Sequence, residues 1–183
     1  MPFAELTRQV EGCVAPGPML TRIVAVDGLG GAGKTTFARR LSAALGDAPI
    51  VHTDDFASWD HPIDWWPRLL QQVLVPLSRD RPARYQRYDW PTTSMAEWHD
   101  LQPGGFVVLE GVSASREAFR PYLAFRVWID TPRAERLRRG LERDGAEQEA
   151  QWLGWMSAED EYVRREDPAA HADLVLPGTQ WLT

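Results

Sequence analysis

A chain of 183 residues with a formal net charge of -6 and 44% hydrophobic residues can bury a sizeable core without a disulfide or metal staple, and its acidic balance argues against a nucleic-acid partner. Its one cysteine, Cys13, can form no intramolecular disulfide, which fits a reducing, cytoplasmic setting. No basic stretch leads into an apolar core as in a signal peptide, and no apolar run nears the ~20 residues that span a bilayer, so no membrane partner is expected.

In chain order, residues 1–21 read as an N-terminal extension. Phe3, Leu6 and Val10 share one face of a short amphipathic helix from Phe3 to Glu11. Gly12 to Pro18 is a loop rich in Gly and Pro. Arg22 to Val26 is an apolar run suited to a buried parallel strand. A glycine-rich stretch follows, then a helix from Lys34 to Leu45 with Gly46 as its C-cap. Pro49 to Thr53 is a second strand, ending at Asp54-Asp55-Phe56. Ile63 to Leu77 is predicted helical, with Pro67 in its first turn and Pro76 near its end. Arg79 to Gln102 lacks a clean period and reads as an irregular segment plus a short helix near Ser94 to His99. Strands at Phe106 to Leu109 and Phe125 to Ile129, a basic helix from Pro132 to Arg143, a helix from Gln148 to Arg165 and a strand at Asp173 to Leu176 complete the chain. This alternation predicts one α/β domain over residues 1–183: a mostly parallel five-stranded sheet with helices on both faces.

Gly28-Leu29-Gly30-Gly31-Ala32-Gly33-Lys34-Thr35-Thr36 lies between the first strand and its helix and matches the complete Walker A spacing. Glycines let the backbone wrap a phosphate with its N–H groups pointing inward, and the helix beginning at Lys34 adds its positive end. Lys34 is expected at the β- and γ-phosphates of ATP, and Thr35 on Mg²⁺. The expectation is therefore a P-loop NTPase fold that binds ATP and Mg²⁺ through Gly28, Gly30, Gly31, Ala32, Gly33, Lys34, Thr35 and Thr36.

Acidic residues stand at the other predicted strand ends. Glu110 follows four apolar residues, as the acid of a Walker B-like strand does, and is expected to hold Mg²⁺ directly or through water. Asp54 or Asp55 suits acceptance of a proton from an attacking hydroxyl, with Asp55 the member expected to cap a turn. Asp130-Thr131-Pro132 reads as the N-cap region of the basic helix. On that helix Arg136, Arg139 and Arg143 share a face. Phosphoryl transfer needs cations around the migrating group, so residues from about 133 to 150 read as a short helical lid, with Arg139 offered to the nucleotide and Arg143 to catalysis. The alternative for these arginines is a solvated face paired with Glu135 and Glu142.

From Ile23 to Gly178 the chain resembles the uridine kinase and phosphoribulokinase branch of P-loop kinases. The elements fall in family order: the Walker motif, Asp54-Asp55-Phe56, Asp60-His61-Pro62 with Asp64, Tyr88-Asp89, Glu110-Gly111-Val112, Arg136-Leu137 with Arg143-Asp144, and Ala172-Asp173 before Pro177-Gly178. The resemblance implies that Asp54 is the base that activates a hydroxyl, Asp60 binds ribose hydroxyls and Tyr88 lines the nucleoside site. It also implies that Glu110 belongs to the Mg²⁺ network and Arg143 faces phosphate from the lid. Asp55, Trp65 and Trp90 are expected beside the same acceptor cleft.

Two departures stand out. The family's histidine shortly after Tyr-Asp-Phe, which reads a pyrimidine, has no counterpart after Tyr88-Asp89-Trp90. Gly145-Ala146-Glu147 replaces a second arginine cluster, which shortens the lid. The expected activity is ATP-dependent transfer of phosphate to a hydroxyl of a small molecule, a nucleoside by resemblance. Another hydroxylated metabolite, or a regulatory ATPase with no small acceptor, are the alternatives. The sequence leaves the oligomeric state open.

Overall fold

The computed structural model describes residues 1–57 and 65–179, so Asp60, His61, Pro62 and Asp64 lie outside the described residues. Helix α1 (Phe3–Glu11) precedes strand β1 (Arg22–Gly28), helix α2 (Lys34–Ala44) and strand β2 (Ile50–His52). Helix α3 runs as Trp66–Leu69, a π-helical turn at Leu70–Leu74, and Val75–Ser78. Strands β3 (Ala83–Asp89), β4 (Ser94–Leu101), β5 (Phe106–Glu110) and β6 (Leu123–Asp130) follow. Helices α4 (Arg133–Asp144) and α5 (Glu149–Glu166) and strand β7 (Leu174–Pro177) end the fold.

The main sheet has five strands in the order β2-β5-β1-β6-β7, all parallel, as the alternation of elements predicts. Every β1 residue from Ile23 to Val26 is fully buried, because both faces of the sheet are covered. Ile23 and Ala25 face one core with Val51, Leu69, Leu109 and Phe119. Val24 and Val26 face a second core with Leu6, Val10, Phe37, Leu41 and Val127. This alternation is the period of two of a pleated strand. It explains why α1 belongs to the domain: Leu6 and Val10 are completely buried, and Phe3 meets the edge of the Phe37 ring at 6.2 Å.

Two local features depart from the sequence reading. The widened turn in α3 precedes Pro76, whose ring would collide with the carbonyl four residues back and which has no N–H to donate. The stretch near Ser94 to His99 is not a helix: β3 and β4 pair antiparallel as a separate hairpin. Its pairing rests on contacts that a helical template does not test. Arg87 bridges to Glu97 across the strands at 2.8 Å, and Tyr85 stacks on His99 at 5.1 Å. Asp89 closes the turn by accepting from both the N–H and the hydroxyl of Thr92.

Candidate active site

Parallel pairing aligns the carboxyl ends of three strands. Val26 and His52 both sit opposite Glu110, so the loop after β1, the Thr53–Asp55 turn after β2 and the end of β5 gather at one edge of the sheet. Ligands of open parallel sheets bind in such crevices.

The Gly28–Gly33 loop leads into α2 through Gly33, whose φ of 99° is left-handed. Gly31 has φ 76°, and a Cβ there would stand 2.5 Å from the Arg136 carbonyl oxygen, so no larger residue fits without moving α4. The loop is held from outside by its carbonyls. Arg139 donates to the Gly31 oxygen at 3.2 Å, and Thr131 donates its hydroxyl to the Ala32 oxygen at 3.0 Å. Because C=O and N–H of a trans peptide point in opposite directions, anchoring those carbonyls outward turns the N–H groups of the next residues to the other side. Thr131 thus secures the loop instead of capping α4, where Pro132 is the N-cap and makes no side-chain cap bond. Lys34 is buried, and its ammonium donates to the Leu29 oxygen at 3.0 Å across the loop. Thr36 follows Thr35 on the first turn of α2.

Thr35 donates its hydroxyl to Glu110 at 3.2 Å, and the other Glu110 oxygen meets His52 Nδ1 at 2.6 Å. Burial pushes the Glu110 carboxyl upward, but the His52 hydrogen bond, the Lys34 charge and Thr35 outweigh it, and Glu110 lies below its ordinary range. His52 is raised, first by its bond to Glu110, against the opposing effect of burial. Glu110 is thus held as a carboxylate. Adjacent hydroxyl and carboxylate oxygens are the hard donors that Mg²⁺ takes, and two protein oxygens suffice where phosphate and water complete the shell. Among the described residues no cluster of three or more His, Cys, Asp or Glu could hold a metal by itself; the adjacent Thr35 hydroxyl and Glu110 carboxylate are oxygens of the kind that suits Mg²⁺.

Asp54 stands at the mouth of this edge. It is exposed as a residue, yet protein atoms crowd around its carboxylate. That loss of water raises its pKa, with Glu110 adding to the rise and Lys34, His52 and Arg143 opposing it. Asp55 points to the hairpin, where Tyr85 donates its hydroxyl to Oδ2 at 3.3 Å. Trp90 donates its indole N–H to the Asp54 carbonyl at 3.1 Å, which ties the hairpin to the Asp54 turn. Tyr88 is buried and packs edge-on to Trp90 at 5.4 Å. Trp65 is buried in the first core beside Phe119. Arg143 forms a two-point pair with Asp144 at 2.7 and 2.8 Å, lies over the Trp152 ring, and its charge reaches Asp54. The structure therefore brings Lys34, Thr35, Glu110, Asp54 and Arg143 to one edge, and Tyr88 and Trp90 beside it.

A family model described as AAA domain matches residues 24–167, from β1 through the end of α5. The chain belongs to this family. A uridine kinase of Deinococcus deserti is 28% identical over 180 residues, spanning 85% of this chain and 86% of its own. A uridine kinase of Halobacterium salinarum is 26% identical over 180 residues, spanning 84% of this chain and 79% of its own. A solved structure described as a possible uridine kinase from Bacillus stearothermophilus superposes with a TM-score of 0.69 at 23% identity, covering 94% of this chain and 96% of that one. The resemblance read from the motifs holds across the whole domain.

In this AAA domain several residues escape a motif reading. Asp27, fully buried at the end of β1, accepts from the Gly28, Ser113 and Ser115 backbone N–H groups and from the Ser115 and Tyr162 hydroxyls, at 2.7 to 3.0 Å. It joins the phosphate loop, the segment after β5 and α5, and an acid directly before a Walker glycine is its only sequence signal. His52 gave none, since a lone histidine ending a strand has no motif. Trp152 fills the angle between α4 and α5 and donates to Asp144 at 3.0 Å. A Cβ on Gly140 would stand 2.4 Å from that indole. Gly140→Ala is expected to drive Trp152 outward and to cost about 1–3 kcal/mol, the usual cost of overpacking, despite the better helix propensity of alanine. Chemical denaturation measures this. A more stable variant would show that the indole shifts freely.

Among the described residues no helix is long and apolar enough to cross a membrane.

Proposed function

We propose that this chain transfers the γ-phosphate of ATP to a hydroxyl of a nucleoside-like small molecule. The kinase class rests on the phosphate loop and on uridine kinase relatives that align over most of both chains. Transfer to a small-molecule hydroxyl, as opposed to hydrolysis alone, rests on those relatives, and the residue that carries proton acceptance from the attacking oxygen is Asp54. Its carboxylate sits at the cleft mouth inside the fields of Lys34, Glu110 and Arg143, and it is poised above the usual aspartate range by crowding. Asp54 takes the proton as the hydroxyl oxygen bonds to phosphorus and the bond to the ADP oxygen breaks. Lys34 supplies a cation to the transferring group. Thr35 and Glu110 would hold Mg²⁺, whose charge would neutralise that of the phosphates.

Acceptor choice follows from the walls. Trp90, half-buried beside the Asp54 turn, offers aromatic surface with Tyr88 buried edge-on against it, and no histidine follows Trp90 within the turn to read a pyrimidine. Aromatic faces stack on any base with little discrimination, whereas a site built to hydrogen-bond its substrate rejects analogues by roughly 10⁴–10⁵-fold. Uridine, cytidine, adenosine and guanosine are therefore expected to differ modestly in kcat/KM. Incubating the protein with Mg·ATP, these nucleosides and a set of sugars and other alcohols, and measuring acceptor-dependent ADP, tests both points. ADP formed at the same rate without any acceptor would make the protein a regulatory ATPase. Turnover confined to sugars or other alcohols would replace the nucleoside. A single pyrimidine favoured by several orders of magnitude would show that another residue reads the base.

A further inference from the structure

Helix α5 lays one face along the phosphate loop. Trp152, Met156, Glu159 and Tyr162 recur at intervals of three and four, which places them on one side of a helix. Three of them reach the loop or its immediate approach. Tyr162 donates to Asp27, one residue before the loop. Trp152 lies against Gly30, whose added Cβ would stand 3.1 Å from its ring. Glu159 accepts a hydrogen bond from the Gly30 N–H at 2.8 Å through Oε1. Its Oε2 accepts from Arg136 at 3.2 Å, and the same Arg136 nitrogen is 3.5 Å from the Gly30 oxygen.

Gly30 is thereby held at both its N–H and its carbonyl by one buried ion pair. Glu159 is 13% exposed and Arg136 is 5% exposed. Burying a carboxylate and a guanidinium is costly unless each is paired and hydrogen-bonded, as here, so the arrangement fixes geometry more than it adds net stability. Gly30 is also where fixing matters. A residue without a Cβ, flanked by a second glycine, has wide backbone freedom, and an unrestrained loop loses entropy when it closes on phosphate. The space beside Gly30 is filled by Glu159 and Trp152: its added Cβ would come within 2.9 Å of the Glu159 oxygen.

We propose that Glu159 is a positioning residue for nucleotide binding, acting through the Gly30 amide and Arg136 to pre-form the first half of the phosphate loop. It needs no contact with the nucleotide. Because the loop is held in its working shape, binding does not have to order it, and the phosphate chain is the part of the ligand that benefits. The inference rests on the phosphate loop and not on any identity of the acceptor.

The test is calorimetric titration with Mg·ATP and with Mg·tripolyphosphate, which carries the phosphates without the base. Glu159→Ala is expected to weaken both about tenfold, because loop ordering then falls on binding. Glu159→Gln keeps a carbonyl acceptor for the Gly30 N–H and is expected to recover most of the loss. Met156→Ala, on the same face of α5, serves as the comparison for general loosening of the helix: it is expected to lower the thermal midpoint and leave both affinities near wild type. The proposal is overturned if Glu159→Ala binds tripolyphosphate as well as or more tightly than wild type, if Gln restores nothing, or if Met156→Ala weakens binding equally. A protein that gives the expected titrations yet phosphorylates no nucleoside refutes the acceptor reading and leaves this inference standing.

Discussion

Lys34→Ala is expected to leave a folded protein whose kcat is lower by about 10²–10³-fold, the typical cost of removing one preorganised charge-stabilising group. The fold survives for a local reason. Lys34 is the first residue of α2, where a cation opposes the positive end of the helix and alanine is the better helix former. The loss is chemical and reaches past the phosphates. Lys34 draws down the carboxyl groups of Asp54, Glu110 and Glu159, so its removal leaves three acids with less compensation at one edge of the sheet. Asp54, already raised by crowding, rises further, and less of it is ionised in weak acid. Lys34→Arg is not expected to rescue, because a planar guanidinium cannot take the place of a compact ammonium that bridges to the Leu29 carbonyl from a buried position. Steady-state rates with circular dichroism as a control check this. Near-normal turnover in Lys34→Ala would remove the phosphate loop from the mechanism.

The phosphate loop and the main sheet were legible because their signals are local. A Walker spacing between an apolar run and a helical period depends on residues close in sequence, and so does an acid ending an apolar run, as at Glu110. The hairpin was not legible. Its strands carry polar residues such as Gln86, Arg87, Glu97 and His99, and what pairs them is a set of contacts across a turn. The positioning of the loop was hidden for the same reason at longer range. Glu159 and Tyr162 lie on a helix that the sequence marks only as a helix from Gln148 to Arg165, yet they meet Gly30 and Asp27 across separations of 129 and 135 residues. Arginines on α4 suggested cations for phosphate. In the structure Arg136 and Arg139 donate to backbone carbonyls of the loop, a use that no charge pattern distinguishes from ligand binding.

Asp54→Asn separates the proton acceptor from everything else at this edge. Asparagine keeps the shape and cannot take a proton, so kcat is expected to fall by about 10²–10⁴-fold while ATP binding survives. Asp55→Asn is expected to cost far less, since Asp55 is engaged with the Tyr85 hydroxyl on the hairpin side. The raised pKa of Asp54 gives two further signatures with fixed signs. First, a base works only when ionised, so the acid limb of the kcat profile should lie above the ordinary aspartate value of about 3.9, and the residual activity of Asp54→Asn should lack that limb. Second, stability moves the other way. An acid whose folded pKa exceeds its unfolded value binds its proton more tightly in the folded state, so stability falls as pH rises from the unfolded toward the folded pKa and stays lower above it. Asp54→Asn should therefore raise the thermal midpoint near neutral pH and lose that advantage in acid, where the aspartate is protonated in both states. The exposure of Asp54 keeps the gain small, because water screens the charge. A variant that is slower yet more stable at neutral pH is what a catalytic carboxylate held against its own solvation produces. If Asp55→Asn proves the slower enzyme and Asp54→Asn gains no stability, the base is Asp55.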